Sequence, residues 1–275
     1  MTKILDGKKI ADKILSSLRK KVEKEKARLK LVVFLFGKDK VNEIFAKQKE
    51  IACEKAGINF EKIFVPKSVK IKQLEKEIKK VSEDKRTSGI VLQFPFPKNF
   101  PSQKVIDLIP PKKDPDILTS ENLGKFFSGE LKCLPPVVKG VLYLLKESKV
   151  NIRGKKVALV GTGRLVGLPL AVFLAQKGAT VLGLNKHTPD ISFFTRNSDI
   201  IITGAGKRNL IKGEDIKKGA IVIDGGYSFF KGKLVGDVDT KSVLGKAKYI
   251  AQVPGGLGPL TCACLLENLF VQNCS

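Results

Sequence analysis

Lys156-Val157-Ala158-Leu159-Val160-Gly161-Thr162-Gly163-Arg164-Leu165-Val166-Gly167 reads as a buried strand running into a glycine turn that opens a helix. The apolar run Val157 to Val160 is the strand, and the helix is expected from Gly161 to about Lys177. Glycines let a backbone approach a diphosphate closely, and a helix N-terminus offers free N–H donors and partial positive charge. The spacing is G-x-G-x-x-x-G, one residue longer than the common dinucleotide fingerprint, and the flanking strand and helix supply the context that gives such a turn meaning. Downstream, Thr180 to Leu184, Asp199 to Thr203 and Ala220 to Asp224 read as further apolar strands. With short helices between them, they predict a Rossmann-type parallel sheet. After Val253-Pro254-Gly255-Gly256 a last helix is expected from about Leu260 to Val271.

Upstream, the same alternation appears in a second block. Residues 7–29 have amphipathic helical spacing behind Asp6, a plausible N-cap. Leu31 to Phe36 is a buried-strand run closed by Gly37, followed by a helix from about Val41 to Ala56 that Gly57 stops. Ile58 to Val65 alternates like a strand, residues 70–83 return to helical spacing, and Gly89 to Gln93 is a short apolar strand. This β-α-β-α-β order predicts a parallel sheet with right-handed crossovers. Residues 94–119 then hold six of the 13 prolines and read as a long irregular segment, functional or linking. Pro135 and Pro136 lead into a helix at about 137–148. The expected organisation is therefore α/β in two lobes with a cleft between them. Residues 1–119, joined by a C-terminal helix at 258–275, form one lobe, 120–149 links, and 150–257 forms the dinucleotide-binding lobe.

Composition narrows the class. The 275 residues are 43% hydrophobic, enough for sizeable cores, and no apolar run approaches the length of a membrane span. The opening Met1 to Ile10 carries lysines with no apolar block behind them, so no secretory leader is expected and the cytoplasm is the expected compartment. The cysteines number 5, at 53, 133, 262, 264 and 274, and Cys262-x-Cys264 has no second pair or histidine cluster, so reduced thiols rather than a metal site are expected. The net charge of +24 comes mainly from lysine spread over many segments. Without arginine forks and interleaved aromatics it reads as solvated faces rather than a nucleic-acid surface. It would still attract anionic ligands.

Several side chains stand out. NAD-binding sheets usually end their second strand in an acidic residue that holds the ribose hydroxyls. Here the strand ends in Leu184-Asn185-Lys186-His187-Thr188, with no carboxylate before Asp190. Lys186, Thr188 and Arg164 could instead hold a ribose phosphate, so NADP is the expected cofactor. His187, the sole histidine, reads either as a further contact to that phosphate or as a surface loop residue, and no serine motif accompanies it, which argues against hydrolase-triad chemistry. Phe45 and Lys49 lie four apart on one helix face, and a lysine turned toward an apolar cleft can serve as acid or base. A solvated lysine is the other reading.

Five ordered stretches then resemble the bifunctional methylenetetrahydrofolate dehydrogenase/methenyltetrahydrofolate cyclohydrolase family. Ile4-Leu5-Asp6-Gly7-Lys8 looks like its start. Gly89-Ile90-Val91-Leu92-Gln93-Phe94-Pro95-Phe96-Pro97 looks like its G-I-L-V-Q-L-P-L-P, and Lys113-Asp114-Pro115-Asp116 matches its K-D-V-D. Gly161 to Pro169 is similar to its G-R-S-x-x-V-G-x-P, and Val253 to Thr261 nearly reproduces its P-G-G-V-G-P-M-T.

The resemblance implies roles. Lys49 takes the place of the lysine that assists water attack and proton transfer, Gln93 of the glutamine that orients it, and Asp116 of the carboxylate that grips the amino edge of the pterin. Phe45, Gly256 and Pro259 would wall the folate site. Gly161, Thr162 and Gly163 would take the diphosphate and ribose contacts of NADP, and Tyr227 a further cofactor contact. A reduced folate substrate, chemistry that needs no metal and a homodimer through the Rossmann-type lobe are also implied, while the composition already points to no membrane or nucleic-acid partner.

The sequence departs from the family pattern in places. Phe45 stands for a tyrosine, Ile117 for the glycine after K-D-V-D, Pro136-Val137-Val138 for C-T-P, Leu184-Asn185-Lys186 for C-H-S and Thr162-Gly163 for R-S. A member with only one of the two activities, and a non-catalytic NADP- or nucleic-acid-binding relative, are the alternatives these departures raise.

Overall fold

The computed structural model describes residues 1–37, 40–97 and 100–274, with residues 40 and 41 described by backbone alone. In chain order, β1 (Lys3–Ile4), α1 (Gly7–Lys24), β2 (Lys30–Phe36), α2 (Lys40–Ala56), β3 (Asn59–Val65), α3 (Ile71–Glu83) and β4 (Gly89–Gln93) come first. Then follow α4 (Ser102–Ile106), α5 (Ser120–Ser128) and α6 (Pro136–Glu147). The second series is β5 (Lys156–Val160), α7 (Gly167–Gln176), β6 (Thr180–Leu184), α8 (Ile191–Arg196), β7 (Ile200–Thr203) and β8 (Ile221–Asp224). It closes with β9 (Ser228–Phe230), β10 (Lys233–Val235), α9 (Thr240–Val243), β11 (Tyr249–Ala251) and α10 (Leu257–Cys274). No helix among the described residues is long and apolar enough to cross a membrane.

The chain divides into two compact units, one of Met1–Ile10 with Val137–Thr261 and the other of Ala11–Pro136 with Cys262–Ser275. The sequence placed the opening residues in the first lobe and a linking segment at 120–149. In the structure β1 pairs in parallel with β11, which puts Met1–Ile10 in the unit of the larger sheet. The expected linker is mostly helix, with α5 in one unit and α6 in the other.

The unit of Ala11–Pro136 is built on a three-stranded parallel sheet, order β3-β2-β4. Central β2 is buried from Leu31 through Phe36, as a strand covered on both faces must be. Each such side chain contributes roughly 1.5–3 kcal/mol of apolar burial. Val32, Phe34 and Phe36 pack with Leu74 and Ile78 of α3 and with Ile90 and Leu92 of β4. Helix α1 presents Ile14, Leu15, Leu18 and Val22 as a buried stripe. The Lys9 N–H donates to Asp6 Oδ1 at 2.9 Å, so Asp6 is the N-cap expected. The helix ends at Lys24 rather than at residue 29, because Lys26 turns left-handed (φ 49°) and Ala27 N–H bonds back to Val22 O at 3.0 Å. The proline-rich stretch is less irregular than expected, since it contains α4 and a turn of 3₁₀ helix at Pro111–Lys113.

The unit of Val137–Thr261 carries a six-stranded parallel sheet, order β1-β11-β8-β7-β5-β6. Four of its strands were legible in the sequence; β1 and β11, of 2 and 3 residues, were too short to show a period. In each unit the chain leaves one strand toward one side of the sheet and returns on the other. The reversal lies between β2 and β4 in the smaller sheet and between β5 and β7 in the larger. Open parallel sheets bind ligands at the carboxyl ends of strands at such a switch point.

Candidate active site

At the carboxyl end of the β2–β4 pair, Lys49 from α2 meets Gln93, the last residue of β4. Lys49 Nζ donates to Gln93 Oε1 at 2.8 Å, and Gln93 Nε2 donates to Phe94 O at 3.1 Å. The second bond fixes the amide so that its oxygen faces the amine. Gln93 is buried and Lys49 half-buried, so the amine is held at a protected position with hydrogens to spare. Phe45 sits one turn before Lys49 and is half-buried. Cys53, one turn after it, is fully buried, and burial pushes its thiol up to about 12, which removes it as a nucleophile.

Asp116 belongs to the same neighbourhood. Burial lifts its carboxyl to about 6; the Lys49 ammonium pulls it back down and the Asp114 carboxylate pushes it up further. Amine, amide and carboxylate thus come from a helix, a strand end and a loop far apart in sequence. The other residues of the K-D-P-D stretch serve the frame. Lys113 Nζ donates to Ser82 O (2.7 Å) and Asp84 O (3.1 Å), capping the end of α3, and Asp114 is buried among donors from its own loop and from the first turn of α5.

In the other unit, the turn after β5 is not helical at Gly161 as the sequence suggested; α7 begins at Gly167. Gly161 has φ +102°, and a Cβ there would lie 2.7 Å from the backbone of Gly204. The ends of β5 and β7 touch at this point, and a Cβ on Gly167 would sit 2.1 Å from Gly161 O. The six residues before α7 therefore form a tight cradle over the helix N-terminus, while a Cβ on Gly163 would meet nothing within 4 Å, an open side for a ligand. This is the backbone geometry a dinucleotide diphosphate needs.

Thr162 and Arg164 are half-buried in the cradle. After β6, Asn185 and Thr188 close a local turn: Asn185 N–H donates to Thr188 Oγ1 at 3.0 Å and His187 N–H to Asn185 Oδ1 at 2.9 Å. Lys186 and His187 are exposed on it. The nearest carboxylate, Asp190, caps α8 by accepting from Phe193 N–H at 3.1 Å, so it is occupied rather than aimed at a ribose. Tyr227 is 40% exposed at the start of β9. Gly256 is buried, with its carbonyl against Gly7, and Pro259 is half-buried in the first turn of α10.

Two buried carboxylates in this unit escaped the sequence reading. Asp237 accepts from the N–H groups of Ala205 (2.7 Å), Gly206 (3.2 Å) and Lys207 (2.7 Å), which shapes the loop after β7. Asp224 accepts from Thr203 Oγ1 (2.9 Å) and from the N–H groups of Gly226 (3.1 Å), Asp237 (3.1 Å) and Val238 (3.0 Å). Burial pushes both carboxyls up, Asp224 to about 6, against these bonds. A Cβ at Gly226 would fall 2.0 Å from the Asp237 carboxyl carbon. The strings Asp224-Gly225-Gly226 and Gly236-Asp237 were the available signal.

Two family models match the chain. Residues 5–116 match the catalytic domain of tetrahydrofolate dehydrogenase/cyclohydrolase, and residues 135–274 match its NAD(P)-binding domain. The chain belongs to this family.

A bifunctional protein FolD of Hydrogenobaculum sp. is 41% identical over 267 residues, 96% of each chain. The crystal structure of the bifunctional FolD of Campylobacter jejuni matches with a TM-score of 0.94 at 34% identity, covering 99% of this chain and 98% of that one. The Trypanosoma brucei FolD, solved with NADP cofactor and inhibitor, matches at 0.93 and 33% identity, covering 98% and 97%. The catalytic-domain match runs to Asp116, and this chain departs from the family pattern immediately after it: Ile117, where the family has glycine, is fully buried with φ +56°. A β-branched residue rarely adopts that conformation.

Proposed function

We propose that the chain oxidises 5,10-methylenetetrahydrofolate to the 5,10-methenyl form with NADP and hydrolyses the latter to 10-formyltetrahydrofolate. The observation that carries this is the Lys49–Gln93 hydrogen bond at 2.8 Å, coupled electrostatically to Asp116. NADP, when bound, takes up the hydride that leaves the methylene carbon. The chain's own part is positioning. The carboxylate of Asp116 accepts from the pterin's amino edge, and Phe45 packs on the flat substrate. The cradle at Gly161, Thr162 and Gly163 suits the diphosphate, with Arg164, Lys186 and Thr188 for the ribose phosphate and Tyr227 beside the cofactor.

In the second reaction water adds to the methenyl carbon and gives up a proton. The bond from that carbon to N5 then breaks, with a proton returned to N5. Lys49 is the group suited to relay these protons, and Gln93, an acceptor only at Oε1, keeps the amine oriented while its other hydrogens stay available. No step requires a metal.

We further propose that it works in the cytoplasm as a homodimer, which the exposed Leu165 and Leu168 in the connection between β5 and edge strand β6 favour, and that its lysines serve anionic small molecules rather than nucleic acid.

Purified protein should reduce NADP with methylenetetrahydrofolate and should hydrolyse methenyltetrahydrofolate in a separate assay. Lys49→Met should lose the hydrolysis by at least about a hundredfold, the usual scale of general acid–base assistance. Absence of turnover with either nicotinamide cofactor would reject the dehydrogenase reading. One activity without the other would mark the single-activity alternative raised by Phe45.

A further inference from the structure

We propose that Asp114 is a positioning residue for folate binding: it locks the loop that carries Asp116. This rests on the functional reading above.

The carboxylate of Asp114 is 1% exposed, and its Oδ2 alone accepts four hydrogen bonds. They come from Leu118 N–H (2.9 Å), Thr119 N–H (2.8 Å), Thr119 Oγ1 (2.8 Å) and Asn122 Nδ2 (3.0 Å). The charge thus gathers donors from beyond Asp116 and ties the loop's exit to its entry. Thr119 is also the N-cap of α5, so loop and helix start are set together. From the other side α10 pins the loop's backbone. Gln272 Nε2 donates to Asp114 O (2.9 Å) and Asn268 Nδ2 to Pro115 O (2.9 Å).

Asp116 lies inside this frame, and so does Ile117 in its left-handed conformation. A strained residue persists only where its surroundings over-determine it. Here the chain has dispensed with the permissive glycine, and the four bonds to one carboxylate oxygen supply the determination. Among the charges around Asp116, Lys49 of α2 draws its proton off and Asp114 of its own loop holds the proton on, while Lys113 is turned away to the end of α3. Asp114 therefore sets both the place of Asp116 and part of its proton affinity.

The test uses the full chain with Asp114→Asn and, as a gentler variant that removes one donor from outside the loop, Asn122→Ala. KM for methylenetetrahydrofolate should rise about tenfold or more in Asp114→Asn and about threefold in Asn122→Ala, with KM for NADP unchanged in both. Carboxyl-carbon NMR of Asp116, assigned by its loss in Asp116→Asn, should show a lower titration midpoint in Asp114→Asn than in wild type. That shift needs no turnover, so it reports on the positioning claim even if wild type fails to use the folate, a failure that would sink the functional reading alone. Unchanged folate KM in both variants, a parallel rise in the NADP KM, or an unmoved Asp116 titration would each overturn the proposal.

Discussion

Replacing Asp116 by asparagine is expected to make the protein more stable while it loses its hold on the substrate. Burial raises the Asp116 carboxyl from the ordinary 3.8 to about 6 despite the attraction of Lys49. A raised carboxyl means that the folded state favours the protonated form. The ionised form is therefore a burden above pH 6 that fades as the pH falls toward 3.8. Each pH unit between the two titrations is worth about 1.36 kcal/mol, so the burden reaches about 3 kcal/mol at pH 7.5. With both titrations taken into account, about half of that persists at pH 5. Asparagine carries no charge at either pH, so the variant should exceed wild type by about 3 kcal/mol at pH 7.5 and by about half that at pH 5. Urea unfolding of both proteins at both pH values measures this in the transition of the unit that holds Asp116, and comparison with wild type cancels the titrating groups that do not interact with Asp116. In the same preparation the folate KM should rise steeply. Equal stabilities at pH 7.5, or a difference that does not shrink at pH 5, would refute the view that this carboxylate is held ionised at the expense of the fold for the sake of the ligand.

Phe45→Tyr restores a hydroxyl beside Lys49; one hydrogen bond worth about 0.5–1.5 kcal/mol predicts a gain of about 2- to 12-fold in turnover of at least one half-reaction, read by separate assays on the methylene and methenyl substrates. Lys186→Ala should raise KM for NADP by about 10- to 150-fold, the scale of a charged hydrogen bond of about 1.5–3 kcal/mol, and leave KM for NAD unchanged; equal effects on both cofactors would remove Lys186 from the ribose-phosphate site. Gly226→Ala forces a methyl against the Asp237 carboxyl and should cost about 1–3 kcal/mol by thermal unfolding, weakening NADP binding with KM for folate retained.

What the sequence determined by itself was whatever depends on neighbours along the chain. The unbroken apolar run of β2 required a strand covered on both faces, the stripe of Ile14, Leu15, Leu18 and Val22 required one helix face, and Asp6 announced its N-cap. The alternation of such elements gave both parallel sheets in outline. The glycines at 161 and 167 marked the cradle, yet placed the helix start too early, because Gly161 is needed for contact with the β7 end rather than for helix entry. The roles proposed for Lys49 and Gln93 were legible only through resemblance, since a lysine among 51 basic residues is conspicuous by nothing local.

Tertiary structure alone decided which carboxylates matter and why. Asp237 takes its hydrogen bonds from residues 30 to 32 positions away, and Lys49 finds its amide 44 positions on. Strands β1 and β11 pair across nearly the whole chain. A buried charge is tolerable only where donors converge on it, and convergence of distant donors is a property of the folded backbone that no window of sequence contains.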